Sequence, residues 1–211
     1  SWKKFVDTEI KNLKPKKETI LVTGASGHIG LNLCKIISEK KFFNLISICR
    51  NKNKHLEKYS DRIINLDVTK YDDFLNACSN IDYVIHLAAV HEKEIETSIN
   101  KEKIIYETSV KGTENLIRIA KVKNFKKIIF ASSVAICGVT YDKKLLNEND
   151  NFKDVFSEEE PYIKAKNVSH KIVEKAITEG LPFVIMMPSS AIGINDFKLS
   201  PPNRIIKKLM N

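Results

Sequence analysis

Thr19-Ile20-Leu21-Val22-Thr23-Gly24-Ala25-Ser26-Gly27-His28-Ile29-Gly30 opens on five residues rich in β-branched side chains and closes on a glycine triplet. The run before Gly24 reads as a buried strand, and from His28 to Lys41 apolar residues recur at helical intervals, so the glycines stand at a strand-to-helix turn. Each has a reason there: Gly24 allows the tight turn, Gly27 lets the backbone approach a phosphate, and Gly30 permits close packing of helix on strand. The free amides and positive end of the new helix then face outward as an anion site. The ligand such a turn fits is the pyrophosphate of a dinucleotide.

Outward from this turn, short β-branched runs alternate with amphipathic ones. NLISIC follows the first helix, then a helix near 53–59, RIINL, a helix near 70–78 and IDYVIHLA. The second half continues with a long helix from 98 to 121, KKIIFAS, a loop-rich stretch, a helix from 161 to 179, and PFVIMM. Strands apolar on both faces and separated by helices predict an α/β fold, a Rossmann-type doubly wound parallel sheet of order 3-2-1-4-5-6 with helices on both faces. Residues 1–17 read as a helical extension, with Trp2, Phe5, Val6, Ile10 and Leu13 on one stripe and Pro15 as its stop; the stripe is expected to cover the body of the domain. Residues 18–211 then form one nucleotide-binding domain.

With 211 residues and 43% hydrophobic content, the chain is long enough for one sizeable core. It contains no run of the roughly 18 apolar residues that a membrane span needs and no secretory-signal pattern in its first residues, so no membrane association and a cytoplasmic location are expected. Cys34, Cys49, Cys78 and Cys137 are irregularly spaced and read as reduced thiols, and the five histidines show no metal-ligand spacing; no metal is expected. The net charge of +9 comes from lysines interleaved with acids along the whole chain, which is the pattern of solvated helix faces, so nucleic acid is not an expected partner.

The TGxxGxxG spacing of Thr23 to Gly30 resembles the extended short-chain dehydrogenase/reductase family, and the resemblance runs along nearly the whole chain from residue 19. Asp67 and Val68 match the family's acid segment after the third strand, which contacts adenine. His86-Leu87-Ala88-Ala89 matches the HxAA segment that lines the cofactor, and Lys111-Gly112-Thr113-Glu114-Asn115-Leu116 matches the GTxNL stretch of the following helix. Cofactor contacts implied by the resemblance are Gly24, Ser26, Gly27, His28, Ile29, Gly30, Asp67, Val68, Leu87, Ala88, Ala89, Tyr162, Lys166, Pro188 and Ser190.

The second strand ends at Cys49-Arg50, with no acid before Glu57. In NAD enzymes a carboxylate about 20 residues past the fingerprint bonds the adenosine ribose, whereas a basic residue there accommodates the 2′-phosphate of NADP. Arg50 therefore reads as a phosphate-contacting side chain, and NADP as preferred over NAD.

Tyr162 and Lys166 are spaced to share a helix face, and Tyr162 follows Pro161 at a helix start beyond the fifth strand, where the family keeps its catalytic pair. Ser133, five before Gly138 in SSVAICG, matches the family's catalytic serine. A phenol titrates near pH 10 in water, so acid/base work by Tyr162 needs a nearby cation such as Lys166.

Three positions depart from the family pattern: Ser109 stands for an asparagine, Cys137 for a tyrosine, and Met186-Met187-Pro188-Ser189-Ser190-Ala191-Ile192-Gly193 lacks the arginine and asparagine that epimerases carry. This last stretch looks more like dihydroflavonol-reductase-like members. A reductase acting on a small-molecule carbonyl or carbinol is the leading reading. A nucleotide-sugar epimerase is the alternative, and a non-catalytic cofactor sensor or interaction module the alternative of another class. Homodimer contacts, if formed, are expected through the 98–121 and 161–179 helices, and the substrate lid of extended members is expected to be missing, leaving the face of Ile205, Ile206, Leu209 and Met210 without cover.

Overall fold

The computed structural model describes residues 17–90, 100–138 and 160–210; the helix expected over 1–17 lies outside the described residues apart from Lys17. In chain order the elements are β1 (Thr19–Thr23), α1 (His28–Lys40), β2 (Asn44–Cys49), β3 (Arg62–Asn65), α2 (Tyr71–Ala77), β4 (Tyr83–His86), α3 (Lys101–Tyr106), α4 (Gly112–Ala120), β5 (Lys127–Ala131), α5 (Pro161–Thr178), β6 (Phe183–Met186) and α6 (Pro201–Leu209). Strands pair in the order β3-β2-β1-β4-β5-β6, every pair parallel, as the alternation of runs predicts.

Alternate residues of β1 show why the sheet needs two covers. Leu21 packs with Phe74 of α2, Leu116 and Ile119 of α4 and Val173 of α5 on one face, while Ile20 and Val22 pack with Leu31 and Cys34 of α1 on the other. A strand buried on both faces reads as a continuous apolar run, which is what TILV is. The strand order reverses between β1 and β4, and their last residues, Thr23 and His86, lie side by side. The crevice at this switch point is where doubly wound sheets take their ligands.

Two helices differ from the reading of the sequence. Over 53–59 there is only a 3-10 turn, Leu56–Lys58, because Leu56 is its sole buried side chain and a helix without an apolar stripe gains nothing from docking. The 98–121 helix is interrupted by a π turn, Glu107–Lys111, between α3 and α4.

The GTxNL stretch is explained by packing here. A Cβ on Gly112 would lie 2.8 Å from Val68 Cγ2, and Asn115 Nδ2 donates to the Val68 carbonyl at 2.9 Å. These residues fasten α4 to the segment after β3. Ile205, Leu209 and Met210 of the α6 region are largely exposed, and no helix of the described residues is long and apolar enough to cross a membrane.

Candidate functional site

Gly24 has φ +66, and a Cβ on it would sit 2.8 Å from Ala88 N and from the Leu87 carbonyl. The turn thus needs both a left-handed backbone and contact with the end of β4. On Gly30 a Cβ would run into the backbone of Gly24 and Ala25, so the helix can lie this close only because the residue is glycine. Gly27 is the N-cap of α1, which has no side-chain cap and no acid in its first turn. The amides of His28, Ile29 and Gly30 therefore have no helical acceptor by position and no competing carboxylate. This cradle fits a phosphate.

The glycine turn opens on a cavity of about 520 Å³. Gly24, Ser26, Gly27, His28, Ile29 and Gly30 line one wall. Arg50 at the end of β2 and Asp67 and Val68 after β3 line a second, and Leu87, Ala88 and Ala89 after β4 form the floor between them. Ser133, Tyr162, Lys166, Pro188 and Ser190 complete it from the β5, α5 and β6 side. The site residues expected from the sequence thus share one cleft. Arg50 is exposed at its rim, and the Asp67 carboxylate accepts from Thr69 N at 2.9 Å, which orders the loop leading to α2.

Thr23 and His86 build the floor. Thr23 Oγ1 accepts from Leu87 N and Ala88 N, both at 3.2 Å, and lies 2.9 Å from His86 Nδ1. A hydroxyl already accepting two bonds gives its proton to the third partner, so Nδ1 is the acceptor and neutral His86 carries its proton on Nε2. Its ring lies between Phe74 and Phe130. Burial, with Lys166 nearby, pushes the imidazole pKa down to about 3.

Lys166 is also buried. Its Nζ donates to the Ala131 carbonyl at 2.8 Å and stands 5.7 Å from the Phe130 ring centroid. Burial lowers its pKa to about 8. Tyr162 lies one helical turn earlier on α5, just after Pro161 at the helix start, so both face the cleft.

The two serines after β5 are used differently. Ser132 is buried and its Oγ pairs with His170 Nδ1 of α5 at 2.9 Å; His170 Nε2 reaches Glu174 Oε1 at 3.4 Å. Ser133 caps the short 3-10 turn Val134–Cys137, accepting from Ala135 N at 3.2 Å, and its hydroxyl remains at the cleft wall. Val134 N donates to the Pro188 carbonyl at 3.3 Å, which joins this turn to the segment after β6.

Other cleft residues were not singled out in the sequence. Thr108 lines the cleft from the π turn, while Ser109, at the family's asparagine position, is buried with no hydrogen-bond partner for Oγ among the described residues and does not line it. Lys198, Ser200 and Pro202 come from the segment after β6. No local pattern announces them, because their place depends on how that segment crosses the molecule.

Residues 20–211 match the family model described as the NAD dependent epimerase/dehydratase family. The chain is 27% identical to the dihydroflavonol 4-reductase of Arabidopsis thaliana over 215 residues, 90% of this chain and 53% of that protein. It is 31% identical to the UDP-glucose 4-epimerase of Schizosaccharomyces pombe over 130 residues, 57% of this chain and 36% of that one. The chain thus spans about half or less of the length of these relatives. Among solved structures, UDP-glucuronic acid 4-epimerase from Bacillus cereus, in complex with UDP-glucuronic acid and NAD, superposes with a TM-score of 0.76 at 20% identity, over 91% of this chain and 63% of that one; this likeness shows the fold. With the family model covering the sheet, the glycine turn and the cleft together, the chain belongs to the NAD-dependent epimerase/dehydratase family of extended short-chain dehydrogenases/reductases.

Proposed function

We propose that the domain binds a nicotinamide dinucleotide, NADP in preference to NAD, and that Ser133, Tyr162 and Lys166 serve an oxidoreductase reaction at a small-molecule carbonyl or carbinol. The observation that carries this reading is that the glycine cradle and the Ser-Tyr-Lys set open on one cavity. The bound nicotinamide would supply or receive the hydride. The amides of the first turn of α1 hold the pyrophosphate, and the floor formed by Leu87 and Ala88 is held in place by Thr23. Arg50 receives the adenosine 2′-phosphate at the rim, where its planar fork matches phosphate oxygens.

On the reacting side, Ser133 donates its hydroxyl to the substrate oxygen and Tyr162 exchanges a proton with it. Lys166 favours the phenolate by its charge and holds the cofactor ribose. An amine held near pH 8 by burial changes charge within the working range, which suits a group that must stabilise an anion without being locked in an ion pair. Nucleotide-sugar epimerisation is the second reading, supported by the 31% identity to a UDP-glucose 4-epimerase; it uses the same three side chains.

Fluorescence titration tests the cofactor assignment. NADPH is expected to bind more tightly than NADH, and Arg50→Ala is expected to narrow the difference. Equal affinities in the wild-type chain, or a preference for NADH that survives Arg50→Ala, would overturn it. For the chemistry, Tyr162→Phe is expected to lower turnover about 100-fold on whichever carbonyl or nucleotide-sugar substrate a panel shows to be accepted, with NADPH affinity nearly unchanged. Turnover near wild type in this variant would exclude the acid/base role.

A further inference from the structure

The segment after β6 returns to the start of α1, where Gly193 comes close to the His28 ring. Asn32 of α1 donates from Nδ2 to the Ile194 carbonyl at 2.9 Å and accepts from Asn195 Nδ2 at 3.0 Å. Farther along, the Phe197 ring lies 3.9 Å from the His55 ring, centroid to centroid, with the planes at 9°. His55 belongs to the loop after β2 that begins with Arg50. The two anchors therefore join the last strand's side of the molecule to the rim expected to meet the adenosine ribose.

The next turn is fixed from within. Asp196 Oδ2 accepts from Ser200 N at 2.6 Å and from Asn203 Nδ2 at 2.8 Å, so its carboxylate is engaged by its own segment. Lys198, adjacent to the stacked Phe197, lines the same cleft as Arg50. Arg50 and Lys198, from distant parts of the sequence, thus line one cleft together with Asp67, and the 50–56 stretch carries no carboxylate.

We propose that residues 192–200 are a clasp over the adenosine end of the cofactor cleft, and that Lys198 is a second specificity-determining residue, sharing the adenosine 2′-phosphate with Arg50. The inference rests on the NADP reading above. Arg50 supplies the planar, bidentate contact, and Lys198 supplies a point charge. The His55–Phe197 stack delivers it. Because a 2′-phosphate is a dianion at neutral pH and a ribose hydroxyl is neutral, a second cation strengthens binding of one cofactor and leaves the other nearly untouched.

The experiment titrates NADPH and NADH against the 211-residue chain by fluorescence, with adenosine 2′,5′-bisphosphate and 5′-AMP as competitors. The chains compared are wild type, Lys198→Ala, Arg50→Ala, the double variant and Phe197→Ala, with thermal melting as the folding control. Lys198→Ala is expected to weaken NADPH and the bisphosphate about tenfold while NADH and 5′-AMP stay within about twofold. Phe197→Ala should move affinities in the same direction, and the double variant should show almost no discrimination. If Lys198→Ala leaves NADPH affinity unchanged, or weakens both dinucleotides equally, the clasp is refuted. Should Arg50→Ala alone abolish the preference, only the clasp fails and the cofactor reading stands. Equal affinities in the wild-type chain would bring down both.

Discussion

Acid is expected to unfold this domain through His86, with stability falling as pH drops from 6.5 toward 3. Burial holds the folded imidazole at about 3, whereas in the unfolded chain it titrates near 6.5. Between these values the unfolded state binds the extra proton and the folded state does not, so stability is fully present above pH 6.5 and is lost as pH falls through the folded value. At about 1.36 kcal/mol per pH unit, the loss at pH 3 is on the order of 5 kcal/mol. Domains are commonly stable by only about 5–15 kcal/mol, so this one group can bring the fold near its midpoint. The structural cause is the Thr23 hub: its proton occupies the His86 Nδ1 bond while its oxygen holds Leu87 N and Ala88 N. A second proton on the ring would displace that bond and set a cation near Lys166, loosening the floor of the cleft as well as the core. Urea denaturation of wild type and His86→Gln at pH 7 and pH 4 isolates the effect. Any constant cost of the substitution cancels between the two pH values, as does the titration of carboxylates common to both chains. The wild type is expected to lose roughly 3 kcal/mol more than the variant over this interval; equal losses would remove His86 as the cause.

What could be read from the residues, and what could not, divides along the range of the interactions involved. The glycine turn is legible because Gly24 and Gly30 answer to contacts within their own turn and with the strand that pairs alongside β1. The strand order follows from two-sided burial of short runs, a property each run shows by itself. Thr108 could not be found this way: it lies in the π turn and lines the cleft, while Ser109, at the family's asparagine position, is buried and does not line it. Such a turn has no sequence signal. The Ser132–His170 bond and the His55–Phe197 stack join residues with no shared period, and only the assembled sheet brings them together. The GTxNL motif shows the opposite lesson. It helped identify the family, yet its glycine and asparagine work on Val68, at the back of the site, by packing and one backbone bond.

Replacing Lys166 with methionine is expected to stabilise the fold by roughly 3 kcal/mol at pH 7 while weakening cofactor binding. The folded amine titrates at about 8 because burial disfavours its charge, and the unfolded amine near 10.4. Below pH 8 both states are protonated, so the folded state carries the whole desolvation cost; between 8 and about 10.4 the unfolded state holds more protons, and stability rises with pH until the cost is gone. The Ala131 carbonyl at 2.8 Å and the Phe130 ring at 5.7 Å offset part of the desolvation. Methionine has a similar length and no charge to bury, so it should occupy the same space against Phe130. The denaturant midpoint of Lys166→Met should exceed that of wild type at pH 7, and the two should converge by about pH 10.5. A variant less stable than wild type at pH 7 would show that the buried charge is compensated within the apo fold. The expected pairing of higher stability with NADPH affinity reduced tenfold or more has a physical meaning. An ammonium kept in a cavity that resists it has most to gain from an added oxygen partner, so under the proposed mechanism the cost Lys166 carries in the fold would be recovered when it bonds the cofactor ribose beside Tyr162.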